Sequence, residues 1–205
     1  MFDTSRDAPS HQRSAESGRP ESLGPAEIRS FMNARGFEAC DTAEQIAAFH
    51  ALADRLIPCE IANIATITAI QSKSRSAVYV LREDGEVTGF LAFFALSDEG
   101  VRAVEEGRFH GVRVEPDWVC PPSHETRFGY VWGFGGASRR ACFAVIKTGR
   151  IMRDSFFPHI GAYARAATPD GRKVMEPLGY RVVSPADPGF YYAPPGSVAH
   201  VGGAS

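Results

Sequence analysis

Four cysteines, Cys40, Cys59, Cys120 and Cys142, are all that the 205-residue chain holds, and no two of them form a C-x-x-C pair. None belongs to a Cys/His cluster with metal-ligand spacing, so no metal and no dithiol redox motif is expected. They read as reduced thiols. A basic excess is also missing: the formal net charge is −2. That removes the electrostatic footprint expected of a nucleic-acid binder or of a protein held at an anionic membrane. No apolar run approaches the ~18 residues of a membrane span, and no apolar h-region marks a secretory signal. The expected location is the cytoplasm. A Gly-Lys-Ser/Thr phosphate loop and a G-x-S-x-G elbow are absent, and Gly133, Gly135 and Gly136 do not have the spacing of a dinucleotide fingerprint.

The composition that remains, 44% apolar and 22% charged, is that of an ordinary globular protein with one domain. Residues 1–24, rich in Ser, Arg, Asp, Glu, Pro and Gly, bury too little to offset their ordering entropy and read as a disordered tail. Residues 25–193 read as the folded domain, and 194–205 as a loose C-terminal tail.

Within the domain a short helix from Pro25 is expected to stop at Gly36. Asp41 and Glu44 resemble a capping box, opening a helix through Ile46, Phe49, Leu52, Ala53 and Leu56 that Pro58 ends. Ile61, Ile64, Ile67 and Ile70 continue as another helical face. Around Ala77 the pattern turns to strands: "AVYVLREDG", a hairpin turn at Asp84-Gly85, and "EVTGFLAFFAL", apolar enough to be covered on both faces. Ser97 caps a short helix. An irregular Pro-rich stretch runs from Phe109 to Thr126, and its part from His110 on is expected to border a site. The strand "FGYVWGFGGA" then leads into the helix "SRRACFAVIKTGRIMRDSFF". The strand "HIGAYARAA", a short helix opened by Thr168-Pro169, and the strands "YRVV" and "FYYA" complete the order. This is an α/β (α+β) pattern: a mixed, mostly antiparallel sheet of about six to seven strands with helices on both faces.

The strand-to-helix junction at Val131–Arg140 carries the most chemical information. A helix start offers unpaired N–H groups and a partial positive charge. Glycines allow close approach to the backbone, and Arg139 and Arg140 add charge. Phe134, Gly135, Gly136, Ala137, Ser138, Arg139 and Arg140 are therefore the candidate contacts for the diphosphate of coenzyme A or the phosphate of a phosphopantetheine arm.

The stretch from about Val78 to Val183 resembles the GNAT acyltransferase superfamily. "YVLREDGEVTGFLAF" is similar to its second and third strands and "YVWGFGGASRRACFAVIK" to its fourth strand, donor loop and helix. "IGAYARAATPDGRKVMEPLGYRVV" is similar to its fifth strand, last helix and sixth strand, with Leu178-Gly179-Tyr180 standing for the usual Leu-Gly-Phe. The resemblance implies that acetyl-CoA or another acyl-CoA donates an acyl group to an amine, on a small molecule or a protein lysine. It implies a pantetheine gripped between splayed strands and a backbone N–H that polarises the thioester carbonyl, with that of Phe134 as the candidate.

A carboxylate would take the amine proton. The nearest candidates upstream of the strand are His124 and Glu125. Met175 occupies the place where the family often has a general-acid tyrosine, and Tyr163 is the candidate to replace it.

Two alternatives stand beside this. One is a GNAT-fold module that binds acyl-CoA or a protein partner without catalysis. The other follows a similarity in layout to toxin-activating lysine acyltransferases, which take a fatty acyl group from acyl carrier protein. Asp54 and Trp132 stand where those enzymes have a catalytic His and Asp, with His50 one turn from Asp54. A homodimer is compatible with either, and no nucleic-acid or membrane partner is expected.

Overall fold

In the computed structural model, which describes residues 24–196, the apolar run Glu86–Leu96 becomes β3, the spine of the sheet. Alternation along it sends Phe90, Ala92 and Phe94 to one face and Leu91 and Phe93 to the other, so it is buried on both sides. It pairs with β2 (Val78–Glu83) through a tight hairpin at Asp84 and Gly85, whose φ angles of 52° and 84° are those of a primed turn. β1 (Phe37–Ala39) lies on the outer edge of β2, and β4 (Val119–Cys120) adds to the far end of β3. On β3's other side come β5 (Phe128–Gly136), β6 (Gly161–Arg165), β8 (Asp187–Ala193) and β7 (Arg181–Ser184). Among the described residues only β5 and β6 pair in parallel, and the other pairings are antiparallel.

Eight strands replace the expected six to seven. β1 and β4 are the additions, and neither is long enough to show an alternating pattern.

Helices cover both faces. α1 (Pro25–Asn33) and α5 (Arg139–Phe156) pack on one face, where Ile28, Met32, Val145 and Met152 meet Leu91 and Phe93. α6 (Pro169–Met175) extends that layer through Met175, against Ala164, Tyr180 and Tyr191. α2 (Ala43–Leu56), α3 (Ile64–Ser74) and α4 (Asp98–Glu105) cover the other face, with Phe49, Leu52, Ile67 and Ile70 set against Phe90, Ala92 and Phe94. Each such side chain taken out of water contributes about 1.5–3 kcal/mol.

The caps define the helix starts. Asn63 caps α3, Ser97 caps α4, Ser138 caps α5 and Thr168 caps α6, each accepting an N–H of the first turn. The capping box of α2 is made by Thr42 and Gln45, not by Asp41 and Glu44. Asp41 is drawn off by long-range partners, accepting from both guanidinium nitrogens of Arg29 and from Gln71 Nε2 at 3.1 Å. Among the described residues no helix is long and apolar enough to cross a membrane, and no group of three or more His, Cys, Asp and Glu is placed to hold a metal. The expectations for residues 1–23 and 197–205 lie outside the described residues.

Candidate functional site

β5 is paired on both sides for half of its length only. Phe128 to Val131 match Gly161 to Ala164 of β6, and there the pairing with β6 ends. On the β3 side the register continues to Gly136 but skips Trp132: Phe93 faces Val131 and Ala92 faces Gly133. Trp132 is thus the extra residue of a β-bulge, which bends the strand and re-aims the residues after it. From here β5 leaves β6, and the strand edge from Trp132 to Gly136 opens onto a cleft.

The bulge also sets which backbone groups face that cleft. Ala137 N–H donates to Thr88 O at 2.7 Å, so Ala137 is bonded toward β3. Alternation of an antiparallel ladder then turns Gly135 toward β3 and Phe134 and Gly136 away from it. Phe134 is the first residue beyond the bulge whose N–H points to the open side. Its ring packs on the α5/α6 face, shared between the α5 cluster and the α6 cluster.

The cleft has a volume of about 500 Å³ and crosses the sheet. On the α2 side it is bounded by Phe49, Ala53, Leu56, Ile57, Ile61 and Phe90; on the other side it runs past Cys142 and Ile146 of α5 to Thr168 and Val174 at α6. Gly133 and Gly135 face the α2 side. A Cβ at Gly135 would lie 3.0 Å from Phe90 Cε1 and 3.3 Å from Leu56 Cδ1. Glycine here keeps the passage open. Gly136 has a different role: a Cβ on it would lie 2.5 Å from the Cys142 amide nitrogen. Its missing side chain makes room for α5, and the Cys142 thiol donates to Gly136 O at 3.2 Å.

The start of α5 follows β5 after only Ala137 and Ser138. Ser138 Oγ accepts from Ala141 N at 3.0 Å, leaving the Arg139 and Arg140 N–H groups at the helix tip. Glu83, at the end of β2, stands against this tip, 3.2 Å from Arg140 Nε and 3.4 Å from Ser138 Oγ. A carboxylate already answers part of the positive field that would attract a diphosphate.

The three residues expected to move protons are not at the cleft. His124 and Glu125 occupy an exposed turn before β5. At roughly 3.3 Å per residue, the strand carries the chain some 17 Å from Phe128 to Gly133. Tyr163 lies on the paired part of β6, opposite Tyr130, and its ring packs against Phe128, Phe190 and Tyr192. Burial pushes its hydroxyl upward in pKa. Met175 is buried and lines the cleft.

The structure brings other titratable groups there: Glu60 in the link between α2 and α3, and His110 in the loop after α4. His110 Nδ1 accepts from Val112 N at 3.3 Å, so the neutral ring carries its proton on Nε2. This loop is tied to the bulge, because Trp132 Nε1 donates to Gly111 O at 2.6 Å. Tyr130 also lines the cleft, its hydroxyl pushed by burial to about 12. The sequence signals for Glu60 and His110 were positional: one comes soon after the helix-ending Pro58, the other opens the Pro-rich stretch.

No family model matches the sequence, and no curated protein matches it. Three solved structures are similar in fold. An agmatine N-acetyltransferase is 14% identical over 72% of this chain and 83% of its own, with a TM-score of 0.46. A GNAT-like decarboxylase in complex with isobutyryl-CoA is 14% identical over 67% of this chain and 70% of its own, with a TM-score of 0.42. An acetyltransferase is 17% identical over 77% of this chain and 95% of its own, with a TM-score of 0.40. The β2–β3 hairpin, β5 leading through a short link into α5, and β6 followed by α6 and β7 occur in the chain order that the resemblance implied from sequence.

Proposed function

We propose that the protein is an acyltransferase that takes the acyl group of a pantetheine thioester, as in acyl-CoA, and passes it to an amine. The observation that carries this reading is the one-sided pairing of β5 beyond the Trp132 bulge, which leaves the Phe134 N–H facing an open cleft. A pantetheine arm laid along that edge would complete the ladder that β6 abandons. Its thioester carbonyl would accept the Phe134 N–H, so that the oxygen's growing negative charge is met by a fixed dipole. The amine nitrogen attacks the carbonyl carbon, the C–N bond forms, and the C–S bond breaks. Glu60 takes the proton that the nitrogen loses, His110 Nε2–H donates a hydrogen bond to the departing sulfur, and the thiolate takes its proton from water. Holding both reactants in one cleft contributes much of the rate on its own.

Two features of the site favour variants of this reading. Glu83 beside the α5 tip weakens the case for a diphosphate there and favours a donor presented on a carrier protein. Met175, without a titratable group at the end of α6, favours binding without turnover.

The test is thermal unfolding with acyl-CoA and with acyl carrier protein, followed by thiol release with a panel of amines. A donor at 100 times its Kd stabilises the folded state by about 2.7 kcal/mol. A raised melting temperature with amine-dependent thiol release supports catalysis. A raised melting temperature alone supports the binding module. If neither donor shifts the curve, the reading fails.

A further inference from the structure

We infer that the acyl group is an extended hydrocarbon rather than acetyl, and that it lies between α2 and the β3–β5 face of the cleft. The inference rests on the donor reading above and adds the class of acyl group to it.

Three observations lead there. First, six apolar side chains bound the α2 side of the cleft: Phe49, Ala53, Leu56, Ile57, Ile61 and Phe90. Its acidic and basic lining residues, Glu60, His110, Arg165 and Asp170, are all exposed, and Tyr130 contributes a buried hydroxyl. A small polar acceptor would find no hydrogen-bond partner among those six side chains, whereas a hydrocarbon needs none. Second, this compartment is continuous with the strand edge that carries the Phe134 N–H. A thioester polarised there would have its sulfur and pantetheine on the α5 side and its acyl chain directed through the gap at Gly133 and Gly135. Third, the cleft as a whole, shared between pantetheine and acyl group, has the volume of a site for a sizeable ligand, about 500 Å³.

Gly135 and Leu56 set the width of the passage, because the Leu56 Cδ1 atom is 3.3 Å from the position a Cβ of residue 135 would take. A smaller apolar cavity of about 110 Å³ lies under α5, lined by Leu91, Phe93, Gly149, Met152 and Ile160. It shares Phe134, Val145 and Met175 with the cleft and is the competing seat for a chain.

The experiment is a titration of the full-length protein with acetyl-, butyryl-, octanoyl- and dodecanoyl-CoA, by calorimetry, on wild type and Leu56→Trp. Affinity should rise by about fourfold for each methylene that leaves water, so that octanoyl-CoA binds at least ~50-fold more tightly than acetyl-CoA. Leu56→Trp should abolish that gradient. Should Leu56→Trp fail to fold, Ile61→Trp fills the same compartment from the α2–α3 link. If acetyl- and octanoyl-CoA bind equally, the inference is overturned and the donor reading stands. If the gradient survives both fillings, the chain sits elsewhere, under α5, and the inference is again overturned. If no acyl-CoA binds, the same acyl series is titrated on acyl carrier protein, and if neither donor binds the donor reading itself falls.

Discussion

The two strands that flank β3 treat their backbone amides in opposite ways. Where β2 begins, the N–H groups of Ala77 and Val78 both donate to Gln71 Oε1 at 2.9 Å. Gln71 in turn donates to Asp41, which accepts from Arg29, whose Nε reaches Arg75 O at 2.7 Å. Four segments are stapled by one chain of polar contacts, and the strand start has no amide left over. Beyond the Trp132 bulge, by contrast, the Phe134 and Gly136 N–H groups are turned from β3 and meet no pairing from β6. Buried backbone groups are almost always paired. An edge left open inside a cleft leaves those N–H groups to water or to a ligand's polar atoms, while the Gln71 staple closes its strand within the fold.

The largest effect should come from breaking the staple. Gln71→Leu leaves two fully buried N–H groups without an acceptor and removes a donor from Asp41. A loss of about 3 kcal/mol in unfolding free energy is expected, since each orphaned group costs on the order of 1–3 kcal/mol. Donor affinity of the folded fraction should not change. Urea unfolding with calorimetric titration checks both; a fall in affinity would mean that the two strands flanking β3 are coupled.

The second effect separates the glycines of the open end. Gly136→Val drives a side chain into the backbone of Ala141 and Cys142, which yields only if α5 moves. A cost of about 2 kcal/mol is expected, together with weaker donor binding. Gly133→Ala meets Phe90 Cε2 at 3.4 Å, an ordinary contact. Its stability should stay within about 0.5 kcal/mol of wild type, with binding alone affected. Equal stabilities for the two variants would overturn the distinction between a glycine kept for a helix and one kept for a passage.

That distinction also marks how far the sequence could be read. The hairpin at Asp84-Gly85, the caps at Ser97 and Thr168 and the α6–β7 segment were legible because each depends on neighbours in the chain. The capping box of α2 was misread because Asp41 answers to Arg29 and Gln71, residues placed beside it only by the fold. At the site, the glycine-ended strand was legible as a junction. The bulge was not, since it exists only in the register against β3. His124 and Glu125 stood out by closeness in sequence to the strand, but β5 is extended and carries the cleft away from them. Glu60 and His110 reach it from links whose course no periodicity reveals.

The smallest effect concerns the staple's own charge. The hydrogen bonds from Arg29, with a further one from Gln71, hold the Asp41 carboxyl below the usual carboxylate range. The unfolded chain therefore takes up a proton on Asp41 at a higher pH than the folded chain does. Stability from this pair is complete above about pH 5 and is lost as pH falls through the folded-state value. Asp187, lowered by Arg165, adds to the same acid limb, so the informative quantity is the difference between wild type and Asp41→Asn. That difference should be no more than about 1 kcal/mol at neutral pH, because half of the Asp41 side chain is exposed and the pair is screened. It should shrink toward zero near pH 3. A difference near zero at every pH would assign Asp41's contribution to its hydrogen bond with Gln71, which an asparagine oxygen still accepts, and would remove charge from the account of the staple.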